Sequence, residues 1–117
     1  MLVAVGSPQV REALAALIGA LEGFRVVGEA ASEEQAVALA RADRPQVAVV
    51  DEDLPGSDLG STIQMLHDQA LVDGIVAIGA RADGAGRAQA AGASAYIQIG
   101  ASPADILAAL ELALDPS

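Results

Sequence analysis

The residues best equipped for chemistry in this chain are three consecutive carboxylates, Asp51-Glu52-Asp53, within the stretch VAVVDEDLPGSDLG. Four apolar residues run straight into them, and no lysine or arginine stands beside them. Like charges crowded at one point repel, and the usual remedy is a bound metal ion or a phosphoryl-transfer site that uses them. Either use needs further groups from elsewhere in the chain, so the question is which elements position Asp51 and what they bring to it.

Composition narrows the answer. At 117 residues the chain is long enough for one domain with a real core. Apolar residues make up 53%, far too many for a disordered segment. No apolar run has the length of a membrane span and no basic-then-apolar leader precedes residues 1–10, so neither a membrane segment nor a signal peptide is expected. Cysteine is absent, which excludes disulfides, thiolate catalysis and zinc-thiolate sites; a cytoplasmic location is expected. The net charge of −10 argues against direct nucleic-acid binding. All six basic residues are arginines, so any lysine-dependent mechanism is excluded.

Short apolar runs alternate with helix-period segments. Residues 2–5 read as a first strand, and Ser7-Pro8 then supplies an N-cap and a proline at the first helical turn. Val10, Leu14, Leu17 and Leu21 recur at helical spacing as far as Gly23. Residues 24–30 (FRVVGEA) predict a second strand, and Ser32-Glu33-Glu34 opens a helix that Pro45 ends. Residues 47–50 form a wholly apolar third strand, as in a sheet covered on both faces. Residues 60–69 predict a helix, 74–79 a fourth strand, and 84–91 a helix weakened by Gly84 and Gly86 at about 1 kcal/mol each. Residues 95–99 (AYIQI) predict the fifth strand. Ser102-Pro103 repeats the helix start, with Ile106, Leu107, Leu110 and Leu114 as the core stripe of the last helix. Five βα units predict an α/β fold: a five-stranded parallel sheet, doubly wound, with helices on both faces. Asp51 then falls at the carboxyl end of strand three, where such sheets bind ligands.

With these elements in place the chain resembles a response regulator receiver domain of the CheY-like, flavodoxin-like kind, and within it the LuxR/NarL-type subgroup. The segments SPQVREALAALI, FRVVGEAAS, RPQVAVVDEDLPGSDLG and AGASAYIQIGASPADILAAL carry the resemblance in order over nearly the whole chain. It implies that Asp51 holds the phosphoacceptor position, Leu54-Pro55-Gly56 the turn after it, and Tyr96 the switch aromatic of strand five. Receivers also use two acids after strand one to hold Mg²⁺, a Thr or Ser after strand four and a Lys after strand five. Here those positions read Val5-Gly6, Gly79 and Ile99. Removing one preorganised electrostatic group typically costs about 3–4 kcal/mol in the transition state. The site is therefore expected to be degenerate, with Asp51 inactive as an acceptor, no metal and no Mg²⁺ cofactor.

Each remaining candidate has a plain structural alternative. Asp51 as a carboxylate satisfied by loop amides is favoured over Asp51 as an acceptor, and Arg81 is a possible counter-charge to Asp51 or Glu52. Tyr96 reads as a static surface or interface residue, since Gly79 offers no hydroxyl to couple it to the site. His67 reads as an exposed polar residue, Ser7-Pro8 as an ordinary cap rather than an anion site, and GARADGAGRAQAAG lacks phosphate-loop spacing. In the last helix Ala108, Ala109 and Leu112 fall outside the leucine stripe and form a possible interface.

The expected function is that of a pseudo-receiver: a single non-enzymatic domain over 1–117, acting in signal transduction and transcription regulation through a protein partner, independently of phosphorylation, as a homodimer. It would be the N-terminal part of a longer regulator if a DNA-binding domain follows, and Leu114-Asp115-Pro116-Ser117 suits the start of a linker. The alternatives are a receiver phosphorylated at Asp51 with a makeshift Mg²⁺ site, a small-ligand-binding module, and, ranked last, a small α/β enzyme using Asp51.

Overall fold

The computed structural model describes residues 1–56, 58–69 and 71–114. Five strands alternate with five helices: β1 Leu2–Ala4, α1 Pro8–Gly19, β2 Gly28–Ala30, α2 Glu33–Asp43, β3 Val47–Asp51, α3 Leu59–Asp68, β4 Gly74–Gly79, α4 Gly84–Ala91, β5 Ala95–Gln98 and α5 Pro103–Leu114. All strands pair in parallel in the order β2-β1-β3-β4-β5. This is the doubly wound flavodoxin-like arrangement expected from the sequence. The strand order reverses between β1 and β3, and the crevice at that point opens beside Asp51.

Strand pleating sorts the core into two layers. Leu2, Ala4, Ala48, Val50, Ile75 and Ala77 face one side with Ala36, Ile63, Leu66 and Ala88 of the covering helices. Val3, Val5, Val47, Val49, Val76 and Ile78 face the other, against Leu14, Ile18, Ile106 and Leu110. Because both faces are covered, β3 and β4 have no need of polar residues and read as unbroken apolar runs.

The serine caps form as expected. Ser7 Oγ accepts from the Val10 N–H, Ser32 Oγ from Gln35 and Ser102 Oγ from Asp105, at 3.4, 3.3 and 3.2 Å. Asp58 caps α3 through the Ser61 N–H at 2.7 Å.

Two expectations need correction. The second strand spans Gly28–Ala30, not 24–30, because β1 begins at Leu2 and offers no earlier partner beyond the Met1 carbonyl, which takes the Val27 N–H. Phe24 and Val26 instead pack on the α1/α5 layer. The second correction concerns α5, whose buried stripe is Ile106, Ala109, Leu110 and Ala113; Leu107 is half-buried and Leu114 exposed. Ala109 therefore belongs to the core and is removed from the possible interface, while Ala108 and Leu112 are exposed, Leu112 at 61%. The linker start expected over 115–117 lies outside the described residues.

The reason for an alanine stripe is the closeness of α5 to the sheet. A Cβ added at Gly74, the first residue of β4, would fall on the Ala113 carbonyl of α5. Gly74→Ala should therefore destabilise the domain by about 1–3 kcal/mol, as over-packing does. Gly86→Ala, where the added methyl meets nothing within 4 Å in α4, should stabilise by up to about 1 kcal/mol. Urea unfolding of the two variants should move the midpoint in opposite directions without changing the slope.

Candidate functional site at the carboxyl end of the sheet

Asp51 ends β3 half-buried and, among the described residues, without a cationic partner. Its Oδ2 accepts the Gly6 N–H at 3.4 Å and its Oδ1 the Asp53 N–H at 3.0 Å. The chain then turns, with the Leu54 N–H donating to the Asp51 carbonyl and Leu54 buried beneath. Val5, Gly6, Ser7, Val10, Asp51, Asp53, Pro55, Ala80 and Ile99 line a cavity of about 400 Å³. The structure thus places Val5, Gly6 and Ile99 in one cavity with Asp51. A Cβ on Gly6 would come within 3.0 Å of Pro55 Cδ, so the ring after the acidic run sits against that glycine.

Gly79 lies one strand further on, and the Glu52 carboxyl group lies directly over it: a Cβ at Gly79 would fall on Glu52 Cδ and Oε1. The Glu52 N–H donates to the Ile78 carbonyl at 2.9 Å, which extends the β3–β4 pairing past Asp51 and aims this side chain across β4. Adjacent side chains of the acidic run thus separate. Asp51 faces the cavity with Val5 and Ile99, whereas Glu52 lines a different cleft with Asp53, Asp58, Arg81 and Arg87.

Arg81 shares that cleft, but its guanidinium forms no ion pair with Asp51 or Glu52 among the described residues. What Arg81 contributes is its carbonyl, which accepts the Tyr96 hydroxyl at 2.7 Å. Tyr96 is half-buried, and its ring packs against the start of α4, where a Cβ at Gly84 would collide with it. Gly84, which seemed a weakness of α4, is what lets the ring approach. His67 is exposed, its Nε2 3.4 Å from the Gly92 carbonyl.

One interaction that the sequence did not suggest joins α2 to α3. The Thr62 hydroxyl donates to Glu33 Oε2 at 2.7 Å and to the Asp58 carbonyl at 3.1 Å, and the Glu33 N–H donates to the Pro55 carbonyl. Among the described residues Thr62 is the buried polar side chain. Glu33 was visible only as a first-turn acid, and nothing linear ties it to a threonine 29 residues away.

The sequence pattern of the response regulator receiver domain matches residues 1–111. The chain belongs to that family. It is thus the receiver domain of a response regulator, a signal-transduction module. The transcriptional regulatory protein PdtaR of Mycobacterium tuberculosis is 33% identical over 96 residues, covering 80% of this chain and 46% of the relative. The chain thus spans less than half the length of that curated relative. Among solved structures, a LuxR-family two-component response regulator from Aurantimonas is 29% identical with a TM-score of 0.83, covering 97% of this chain and 82% of that one. The BeF3-activated N-terminal receiver domain of Klebsiella pneumoniae RstA is 28% identical with a TM-score of 0.82, covering 97% and 96%.

Burial raises the Tyr96 pKa above its ordinary value of 10.0, and the Glu52 carboxylate nearby adds to the rise. The folded protein therefore holds the phenol proton to higher pH than the unfolded chain does. This contribution to stability is whole below pH 10.0 and is lost as pH rises through the folded pKa. With one tyrosine and no tryptophan, absorbance titration near the phenolate band reads Tyr96 alone. The midpoint should lie above that of the urea-unfolded chain, and Glu52→Gln should bring it part of the way back.

Proposed function

We propose that this receiver works without aspartate phosphorylation, transmitting its signal through protein–protein contacts within a transcriptional regulator of the LuxR/NarL type. The observation that carries the reading is the wall facing Asp51. Around its carboxylate stand Val5, Gly6 and Ile99, with neither a second acid from β1 nor a lysine from β5. Over Gly79, where a hydroxyl would be needed, lies the Glu52 carboxylate, an acceptor that adds negative charge. Phosphoryl transfer depends on neutralising the charge of the moving group, and these substitutions remove the neutralising groups. The 29% identity to a LuxR-family regulator and the likeness to PdtaR, a transcriptional regulatory protein, support the setting.

Mg²⁺, the ion that receivers employ, does not fit this donor set. The cavity offers Asp51 and Asp53 from a single loop, and the opposite wall is hydrocarbon. Among the described residues no three acidic or histidine side chains converge. A makeshift ion on two carboxylates and water is the competing reading, favoured by Asp51 and Asp53 lining one cavity.

The two readings separate in a ¹⁵N-HSQC titration with Mg²⁺ followed by beryllofluoride, on wild type and Asp51→Ala. The expected outcome is no saturable shift at Gly6, Asp51 or Asp53. Saturable shifts that spread to Tyr96 and vanish in Asp51→Ala would refute phosphorylation independence.

The partner surface we assign to α5, where Leu112 and Ala108 are exposed one turn apart. A second copy of the domain is the proposed partner, and the downstream DNA-binding domain, if present, would be the output. Sedimentation velocity should show concentration-dependent dimerisation that Leu112→Glu weakens by about tenfold or more, as loss of a central apolar anchor does.

A further inference from the structure

The cavity at Asp51 has a neighbour. A second cavity, of about 280 Å³, runs between α1 and the start of α5 over Leu14, Leu17, Ile97 and Ile106, and it shares Val10 and Ile99 with the first. Ile99 is 43% exposed just beyond β5, forming the lip between the two. The Asp51 cavity, at about 400 Å³, lies inside the usual range for small-molecule sites, which begins at about 300 Å³, and the second, at about 280 Å³, lies just below it. Their chemistry is lopsided. The second cavity, the aliphatic arm, has Gln9 and Gln98 as its polar lining side chains, whereas the first carries Ser7 with the Asp51 and Asp53 carboxylates.

We propose that these two adjoining cavities together bind a small organic cation with an apolar body, its ammonium group against Asp51 and its hydrocarbon along Val10, Leu14, Ile97 and Ile99. Three observations point to that class. No arginine lines either cavity, and Arg11, on the neighbouring face of α1, is held by the Val5 carbonyl at 3.0 Å and by Glu29 at 3.8 Å. Asp51 receives one backbone N–H on each oxygen, which leaves a lone pair on each for a further donor. An anion would meet two carboxylates on a chain of net charge −10, and a hydrated metal ion would gain nothing from the aliphatic arm. The inference goes beyond the reading above and fails separately from it: that reading is tested with Mg²⁺ and beryllofluoride, this one with an ammonium probe.

Octylammonium, kept below its micellar range, is titrated into ¹⁵N- and methyl-labelled protein. Saturable shifts should localise to the Gly6 and Asp53 amides and to the methyls of Val10, Leu14, Ile97 and Ile99. Asp51→Asn, which preserves shape, should weaken binding by about tenfold or more, the loss expected for a charge-assisted hydrogen bond. Ile99→Lys, which tethers an ammonium at the lip, should abolish it, and octanoate should produce no saturable shift. Octanoate binding as tightly as octylammonium, binding undiminished in Asp51→Asn, shifts spread over the acidic surface, or no saturation would each overturn the proposal. Should Asp51→Asn fail to fold, the exposed Ile99→Lys variant and the octanoate comparison decide by themselves.

Discussion

The site depends on the pairing of β1 with β3. These two strands are adjacent in space but separated in the chain by a whole βα unit, so the connections leaving them diverge to opposite faces of the sheet. The divergence opens a crevice that no helix closes, and Asp51 projects into it because it is the last residue of β3. The Gly6 N–H, two residues beyond β1, reaches the Asp51 carboxylate only because Ala4 and Val50 are in register. Shifting that register by one residue would turn the apolar set of β3 inside out and carry Asp51 to the other layer.

The same pleating explains the separate fates of three adjacent acids. A run of carboxylates looks like one electrostatic object in a sequence, but in this protein it is divided among two clefts. Glu52 is carried over β4 by one extra backbone hydrogen bond to Ile78. From there it is a neighbour of Tyr96, coupling the end of β3 to the ring on β5 through charge and not through a hydroxyl.

Much of the fold was legible because it is written in local signals: serine caps, apolar runs and the break at Pro45. Strand two was overestimated because its limit is set by its partner, which a single segment cannot reveal. The face of α5 was misassigned because leucine was given priority over alanine, when the tight approach at Gly74 demands the smaller residue. At the site, Asp51 followed from its place at the end of strand three, whereas Val5, Gly6 and Ile99 were assigned by the family resemblance; the four line one cavity. The placement of Glu52 over Gly79, the seat of Tyr96 on Gly84 and the Glu33–Thr62 contact were not visible. Each depends on where a side chain travels after it leaves the backbone.

The glycines beside the acidic run also bear on the routes open to this protein in evolution. Any side chain introduced at position 79 must first displace Glu52, and any introduced at position 6 must first move the Pro55 ring. The two changes are therefore epistatic with residues on the loop after β3: their effect depends on whether that loop has already altered. Glu52, the end of a flexible chain, yields readily, whereas a proline ring fixed by its backbone does not.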